Sequence, residues 1–235
     1  MLRTDVIQKI IDKKKALRYL EIGVNNGDNF FPIEVAQKVA VDPSFAFPLE
    51  RKLEWDAKNS CNATAEYITA TSDDFFAKAD AMAAFDVVFI DGLHTYEQSL
   101  QDVLNSLEKL NDNGVIVMHD CKPPHLGAAC PAKSLKEAED MQNNEETKTP
   151  GWTGEWCGDV WKTVCYLRSY RKDLKVFVLD CDYGLGVIVK GKSEKDFNLS
   201  KEVLAVMGYE EILNGENDFL NLKDENYLFE FLDTI

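Results

Sequence analysis

The chain carries a row of acids placed where short apolar segments end. Glu21 precedes a glycine-rich turn, Gly23-Val24-Asn25-Asn26-Gly27. Asp42 closes residues 38–41, and Ser72-Asp73 follow residues 66–70. Asp91 closes residues 85–90, and His119-Asp120 close residues 114–118. If these segments are parallel strands, every one delivers a carboxylate to the same sheet edge, where ligands of α/β proteins bind. Asp91 and Asp120, ending adjacent central strands, could then share one hard divalent cation such as Mg²⁺. Without a cation, two such carboxylates repel and one of them becomes harder to ionise.

All three histidines fall near these ends: His94 in the FIDGLH turn, His119 before Asp120, and His125 just beyond. An imidazole can remove a hydroxyl proton near neutral pH. His94 is the first candidate for such a base, with His119 second. The alternative for both is that they satisfy backbone groups at strand ends. The six cysteines (61, 121, 130, 157, 165, 181) form no C-x-x-C pair. They read as reduced thiols of a cytoplasmic chain, with disulfides as the alternative that an even count leaves open. A zinc site drawn from Cys121, Cys130, Cys157, His119 and His125 is conceivable, but their spacing matches no compact zinc pattern.

The elements that must position these groups alternate between strand and helix. Residues 16–22, 38–41, 66–70, 85–90 and 114–118 are continuous apolar runs, which suits strands buried on both faces. Helical periodicity fills the gaps, most clearly over 96–110, where Leu100, Val103, Leu104 and Leu107 share a face. Leu2, Val6 and Ile10 predict an amphipathic first helix. Residues 175–179 and 185–189 are joined by too few residues for a helical crossover, so they must pair antiparallel. The expected fold is α/β: a Rossmann-like, doubly wound, mostly parallel seven-stranded sheet with an antiparallel C-terminal hairpin and helices on both faces.

Residues 121–157 hold four of the seven prolines and form a long insertion, the kind of segment that serves as a lid or binding loop. Trp152, Trp156 and Trp161 near its end read either as an acceptor wall or as ordinary packing. Two domains are expected: 1–190, including the insertion, and an acidic helical extension, 191–235, packed on it. That extension has four lysines against eleven acids, a large part of the chain's net charge of −15. Such a field repels phosphate backbones and anionic headgroups, so nucleic acids and membrane surfaces are excluded as partners. A second copy of the chain remains a candidate partner. No run approaches the ~18 apolar residues of a membrane span, and the basic-acidic N-terminus does not read as a signal peptide.

The strand-one turn is E-x-G-x-x-x-G. It permits close backbone approach to a ligand but lacks the G-x-G-x-x-G dinucleotide fingerprint. An acid ending the second strand accepts hydrogen bonds from ribose hydroxyls, and Glu21 suits a cationic group such as an α-ammonium. A ribose and an amino group without a pyrophosphate cradle describe S-adenosylmethionine better than NAD.

The segments YLEIGVNNGDNF, VAVDP, TSDDFF, FDVVFIDGLHTYEQSLQDVLNSLEKLNDNGVIVMHD and GDVWKTV together resemble a class I S-adenosylmethionine-dependent methyltransferase. The likeness is to the branch with an F-I-D-G-x-H-x-Y signature, which includes small-molecule and sugar O-methyltransferases, and it covers residues 16–190. The resemblance implies that Glu21, Gly23, Asn25 and Gly27 hold the methionine end of the cofactor and Asp42 its ribose. It also puts Ser72 and Asp73 beside the adenine and Asp91 near the sulfonium. Asn25 stands where the family often has a second glycine. Related catechol-type enzymes place a carboxamide after the second metal-binding acid; here that position is Cys121. The expected activity is O-methylation of a small-molecule or sugar hydroxyl, with His94, Asp91 and His119 as catalytic residues and Asp91 and Asp120 as metal ligands. A non-catalytic cofactor-binding protein of the same fold, or an NAD-dependent oxidoreductase, are the alternatives.

Overall fold

A computed structural model describes residues 1–78, 84–195 and 197–235. Helix α1 (Arg3–Lys14) buries Val6, Ile7, Ile10 and Ile11, spaced to share one face. The Asp5 carboxylate accepts the backbone N–H of Leu2 at its start. Lys15, in the left-handed region, ends it. Four strands follow: β1 (Arg18–Ile22), β2 (Gln37–Asp42), β3 (Glu66–Thr69) and β4 (Phe85–Ile90). β1 pairs in parallel with β2 on one side and with β4 on the other, and β2 pairs in parallel with β3. This reversal of strand order about β1 makes a crevice beyond its carboxyl end, where the glycine turn lies. α1 packs against β4.

β5 (Leu110–Met118), β6 (Leu174–Leu179), β7 (Leu185–Lys190) and β8 (Leu222–Lys223) complete a sheet of order β3-β2-β1-β4-β5-β7-β6-β8. β6 and β7 pair antiparallel with Leu179 opposite Leu185, as their short connection requires. The sheet has eight strands rather than the expected seven. β8 falls inside the segment read as wholly helical and pairs in parallel with β6 through Val178 and Leu222. Two residues make no apolar run, so nothing in the sequence pattern marks it.

The helices after α1 are α2 (Leu49–Lys58), α3 (Ser72–Lys78), α4 (Tyr96–Glu108), α5 (Leu135–Asn143), α6 (Val160–Tyr170), α7 (Lys201–Val206), α8 (Tyr209–Phe219) and α9 (Tyr227–Leu232). α5 is the one helix of the insertion and starts from Ser134, whose hydroxyl accepts the Glu137 N–H. α6 is buried almost all round, with Trp161 fully enclosed. Within the extension read as helical, α7 and α8 are separate helices. Met207-Gly208 divides them.

The chain divides into two compact units: Met1–Gly92 with Asp102–Val117 and Leu228–Ile235, and Leu93–Gln101 with Met118–Tyr227. Among the described residues, no helix is long and apolar enough to cross a membrane.

Candidate active site

In the first unit, the strand-end acids build and brace the glycine turn. Gly23 and Gly27 both lie at positive φ, 81° and 77°. A Cβ at Gly23 would collide with the Asp91 carbonyl oxygen, and one at Gly27 with the Phe31 ring. Asn25, standing where a glycine is common, has φ 47°. Asparagine is among the few side-chain-bearing residues that tolerate this region, which explains the departure from the family pattern.

Asp42 ends β2 buried, and its carboxylate is already engaged. Oδ2 accepts the backbone N–H groups of Val24 (2.9 Å) and Asn25 (2.8 Å), and Oδ1 that of Ser44 (2.7 Å). A carboxylate offers about four acceptor sites, so three contacts leave room for one more. The sequence marks Asp42 as a ligand group; the structure adds that it fixes the turn itself.

Glu21 is almost fully buried at the end of β1. Its Oε2 accepts from the Tyr19 hydroxyl at 2.5 Å and from Asn29 Nδ2 at 2.8 Å. Thr4 of α1 donates to Asn29 Oδ1. Burial pushes the Glu21 carboxyl up to about 8, with Asp91 adding repulsion and the two hydrogen bonds opposing the shift. A cationic ligand group would favour the ionised form. Asp91 ends β4, its N–H donating to the Ile22 carbonyl. Ser72 is buried at the first turn of α3 and Asp73 is exposed beside it. Tyr19 and Asn29 lie inside the segment YLEIGVNNGDNF, but the sequence assigns them no role, and Thr4 lies outside every quoted segment.

In the second unit, His94, His119, Asp120 and Asp182 come together. His94 Nδ1 lies 2.6 Å from the Trp156 carbonyl oxygen and 3.3 Å from Asp120 Oδ2. Both neighbours are acceptors, so Nδ1 carries the proton and the neutral ring keeps its lone pair on Nε2. His119 Nδ1 lies 3.2 Å from the same Asp120 oxygen, and its Nε2 lies 3.5 Å from Asp182 Oδ1. His119 thus has a carboxylate beside each ring nitrogen.

The Gly158-Asp159 pair grips the His94 backbone. Asp159 N–H donates to the His94 carbonyl, and a Cβ on Gly158, at φ 56°, would strike that oxygen. Trp156 is buried against Cys130 and Ala138, and its Nε1 donates to the Cys130 carbonyl. Of the tryptophans, Trp161 is core and Trp156 contributes its carbonyl. Trp152 packs on the same small cluster.

Cys121 points away from Asp120 into the core. Its Sγ lies 3.5 Å from the His119 carbonyl, and a Cβ on Gly186 would crowd it. His125 takes the Ala128 N–H on Nδ1 and meets Thr153 at Nε2. None of the six cysteines is joined in a disulfide. Among the described residues, no cysteine belongs to a cluster with metal-ligand spacing, so the zinc set is not assembled.

Residues 20–121 match the family model described as a methyltransferase domain. Among curated proteins none matches the sequence. Several solved structures share the fold at low identity. The O-methyltransferase TomG of Streptomyces achromogenes, solved with S-adenosylmethionine, has 14% identity and a TM-score of 0.53 over 80% of this chain and 79% of its own. The S-adenosylhomocysteine-bound methyltransferase PaMTH1 of Podospora anserina has 18% identity and a TM-score of 0.52 over 81% and 78%. An O-methyltransferase of Bacillus cereus with S-adenosylhomocysteine has 14% and 0.51 over 80% of each chain. Residues 20–121 thus resemble a methyltransferase domain, and the chain shares its fold with these solved methyltransferases.

Proposed function

We propose that this chain moves the methyl group of S-adenosylmethionine to a hydroxyl oxygen of a small molecule or sugar, with His94 as general base. The observation that carries the reading is the 2.6 Å contact of His94 Nδ1 with the Trp156 carbonyl, which leaves Nε2 to act as the base. S-adenosylmethionine, when bound, supplies an electrophilic methyl on a sulfonium. The positive-φ turn at Gly23, Asn25 and Gly27, and the buried carboxyl of Glu21, suit its amino-acid end. The remaining acceptor site of Asp42 suits a ribose hydroxyl. Ser72 and Asp73 are assigned to the adenine and Asp91 to the sulfonium on the motif resemblance.

The proton balance is simple. Nε2 of His94 accepts the hydroxyl proton, the developing positive ring is stabilised by Asp120 beside Nδ1, and the acceptor oxygen gains the methyl. Holding the two reactants in line supplies much of the acceleration. His119 is assigned a supporting role through Asp120.

Asp91 and Asp120 are proposed to hold a divalent cation. An oxygen set with only one or two carboxylates suits Mg²⁺, which keeps waters and takes substrate oxygens. Cys121 faces the core, so its thiol does not disturb that set. Such a cation would acidify and orient the acceptor hydroxyl. Six cysteines outside any disulfide and a net charge of −15 fit a cytoplasmic enzyme with a small-molecule partner.

Calorimetry with S-adenosylmethionine, S-adenosylhomocysteine and NAD tests the cofactor. Binding of the first two without NAD supports the reading, and tight NAD binding alone overturns it. Transfer of labelled methyl to catechol and a panel of sugar hydroxyls tests the reaction. His94→Ala is expected to lower the rate about 10²–10⁴-fold, and an unchanged rate removes His94 as base. EDTA treatment should abolish transfer and Mg²⁺ restore it; full activity after EDTA overturns the metal assignment.

A further inference from the structure

The hairpin turn between β6 and β7 reaches the site in a way that no motif announces. Asp182 and Tyr183 both lie at positive φ, 46° and 60°, and Asp120 does so too at 59°. Such conformations in residues with side chains persist where surrounding contacts impose them. Here the contacts are backbone bonds. Lys122 N–H donates to the Tyr183 carbonyl at 2.7 Å, and Cys121 N–H to that of Gly184 at 3.0 Å. Gly184 must be glycine, since a Cβ there would meet Lys122 and Cys121. The turn is thus clamped to the segment that follows β5.

The clamp delivers two side chains to His119. The Asp182 carboxylate, 9% exposed, faces Nε2 at 3.5 Å. The Tyr183 ring meets the imidazole edge-on, with centroids 5.9 Å apart. His119 is itself 6% exposed and presents Nδ1 to Asp120 Oδ2 at 3.2 Å. That same oxygen faces His94 Nδ1 at 3.3 Å. The side chains form one line, Asp182–His119–Asp120–His94, ending at the group assigned as base.

We propose that Asp182 is a positioning residue for the methyl-transfer site, acting on His94 through His119 and Asp120. Fixing the His119 ring fixes which Asp120 oxygen is turned toward His94, and so steadies the proton on His94 Nδ1. The Tyr183 ring limits rotation of His119 from the side. The proposal rests on His94 being the base, but its test reads ring structure and not turnover.

The chain has only three histidines, so the full-length protein labelled with ¹⁵N-histidine gives three ring systems by two-bond ¹H–¹⁵N correlation. His94→Gln, His119→Gln and His125→Gln assign them. Asp182→Gly removes the carboxylate while keeping a residue at ease with positive φ. The expected result at fixed neutral pH is that the His119 and His94 ring nitrogens both shift beyond their line widths while His125 does not move. Movement of His119 alone overturns the proposal, because Asp182 would then stop at its neighbour. Movement of neither, or of all three together, overturns it as well. If Asp182→Gly does not fold, Asp182→Ala is read by the same criteria. Absence of S-adenosylmethionine binding in calorimetry would count against the methyltransferase reading while leaving the coupled shifts intact, so the two failures are distinguishable.

Discussion

The His94 ring is oriented by the main chain of Trp156, whose carbonyl oxygen accepts from Nδ1 at 2.6 Å. A backbone acceptor cannot turn away as a side chain can, so the tautomer is set by the fold of residues 156–159. Gly158 is the residue that lets this stretch approach, because its hydrogen faces the His94 carbonyl. Gly158→Ala forces that carbonyl aside and places an alanine at φ 56°. The rate of methyl transfer to a working acceptor should fall at least about tenfold, since a small misplacement of a reacting group costs that much or more. Calorimetric affinity for S-adenosylmethionine should stay within twofold of wild type.

Asp42 differs from the other strand-end acids because its work is visible without a ligand. Replacing it with alanine leaves the Val24, Asn25 and Ser44 N–H groups without their acceptor. Each unsatisfied buried donor costs about 1–3 kcal/mol. Asp42→Ala should therefore lower the urea midpoint and weaken S-adenosylmethionine binding together. Asp42→Asn, whose carbonyl can still take the Val24 and Asn25 N–H groups while losing the acceptor for Ser44, should fall between the two.

Lys38 offers a purely structural counterpart. Its ammonium is buried, donating to the carbonyls of Phe30 (2.8 Å) and Ile33 (2.9 Å) over the Phe30 ring. Asn59 also serves Ile33, and Asn59 and Asn62 both serve Phe31. Lys38→Met thus orphans mainly the Phe30 carbonyl, and a stability loss of about 1–3 kcal/mol is expected by urea denaturation. A loss near zero would mean that water takes over the Phe30 carbonyl.

The parallel strands were legible because they are buried on both faces and read as unbroken apolar runs, 85–90 above all. The strand-end acids were legible because each run stops at one. What the pattern could not show is how those acids are spent. Asp42 answers to backbone N–H groups, and Glu21 to Tyr19 and Asn29, partners two and eight residues away whose hydrogen bonds the segment's spacing does not announce. Asp182 was invisible for a related reason. It reaches His119 only because a short hairpin turn is clamped to Lys122, a long-range contact that composition and periodicity do not encode. β8 escaped because two residues cannot display a period. The break between α7 and α8 at Met207-Gly208 was hidden by apolar spacing that continues across it.

The buried carboxyl of Glu21 gives the chain a pH signature. Desolvation pushes it up to about 8, against about 4.3 in an unfolded chain. Between those values the folded state holds a proton that the unfolded state has released, so stability falls as pH rises through this window and levels off above about 8. Glu21→Gln keeps an acceptor for Tyr19 and Asn29 but cannot titrate. Urea melts at pH 5, 6.5 and 8 should show the wild type losing stability relative to Glu21→Gln. A cationic ligand group reverses the preference, favouring the carboxylate. Binding of S-adenosylmethionine below pH 8 should then expel a proton, and affinity should rise with pH up to that point. Calorimetry in buffers of different ionisation enthalpy measures the proton directly. Equal heats in all buffers, with parallel wild-type and Glu21→Gln melts, would show that Glu21 is ionised throughout and that its two donors outweigh burial.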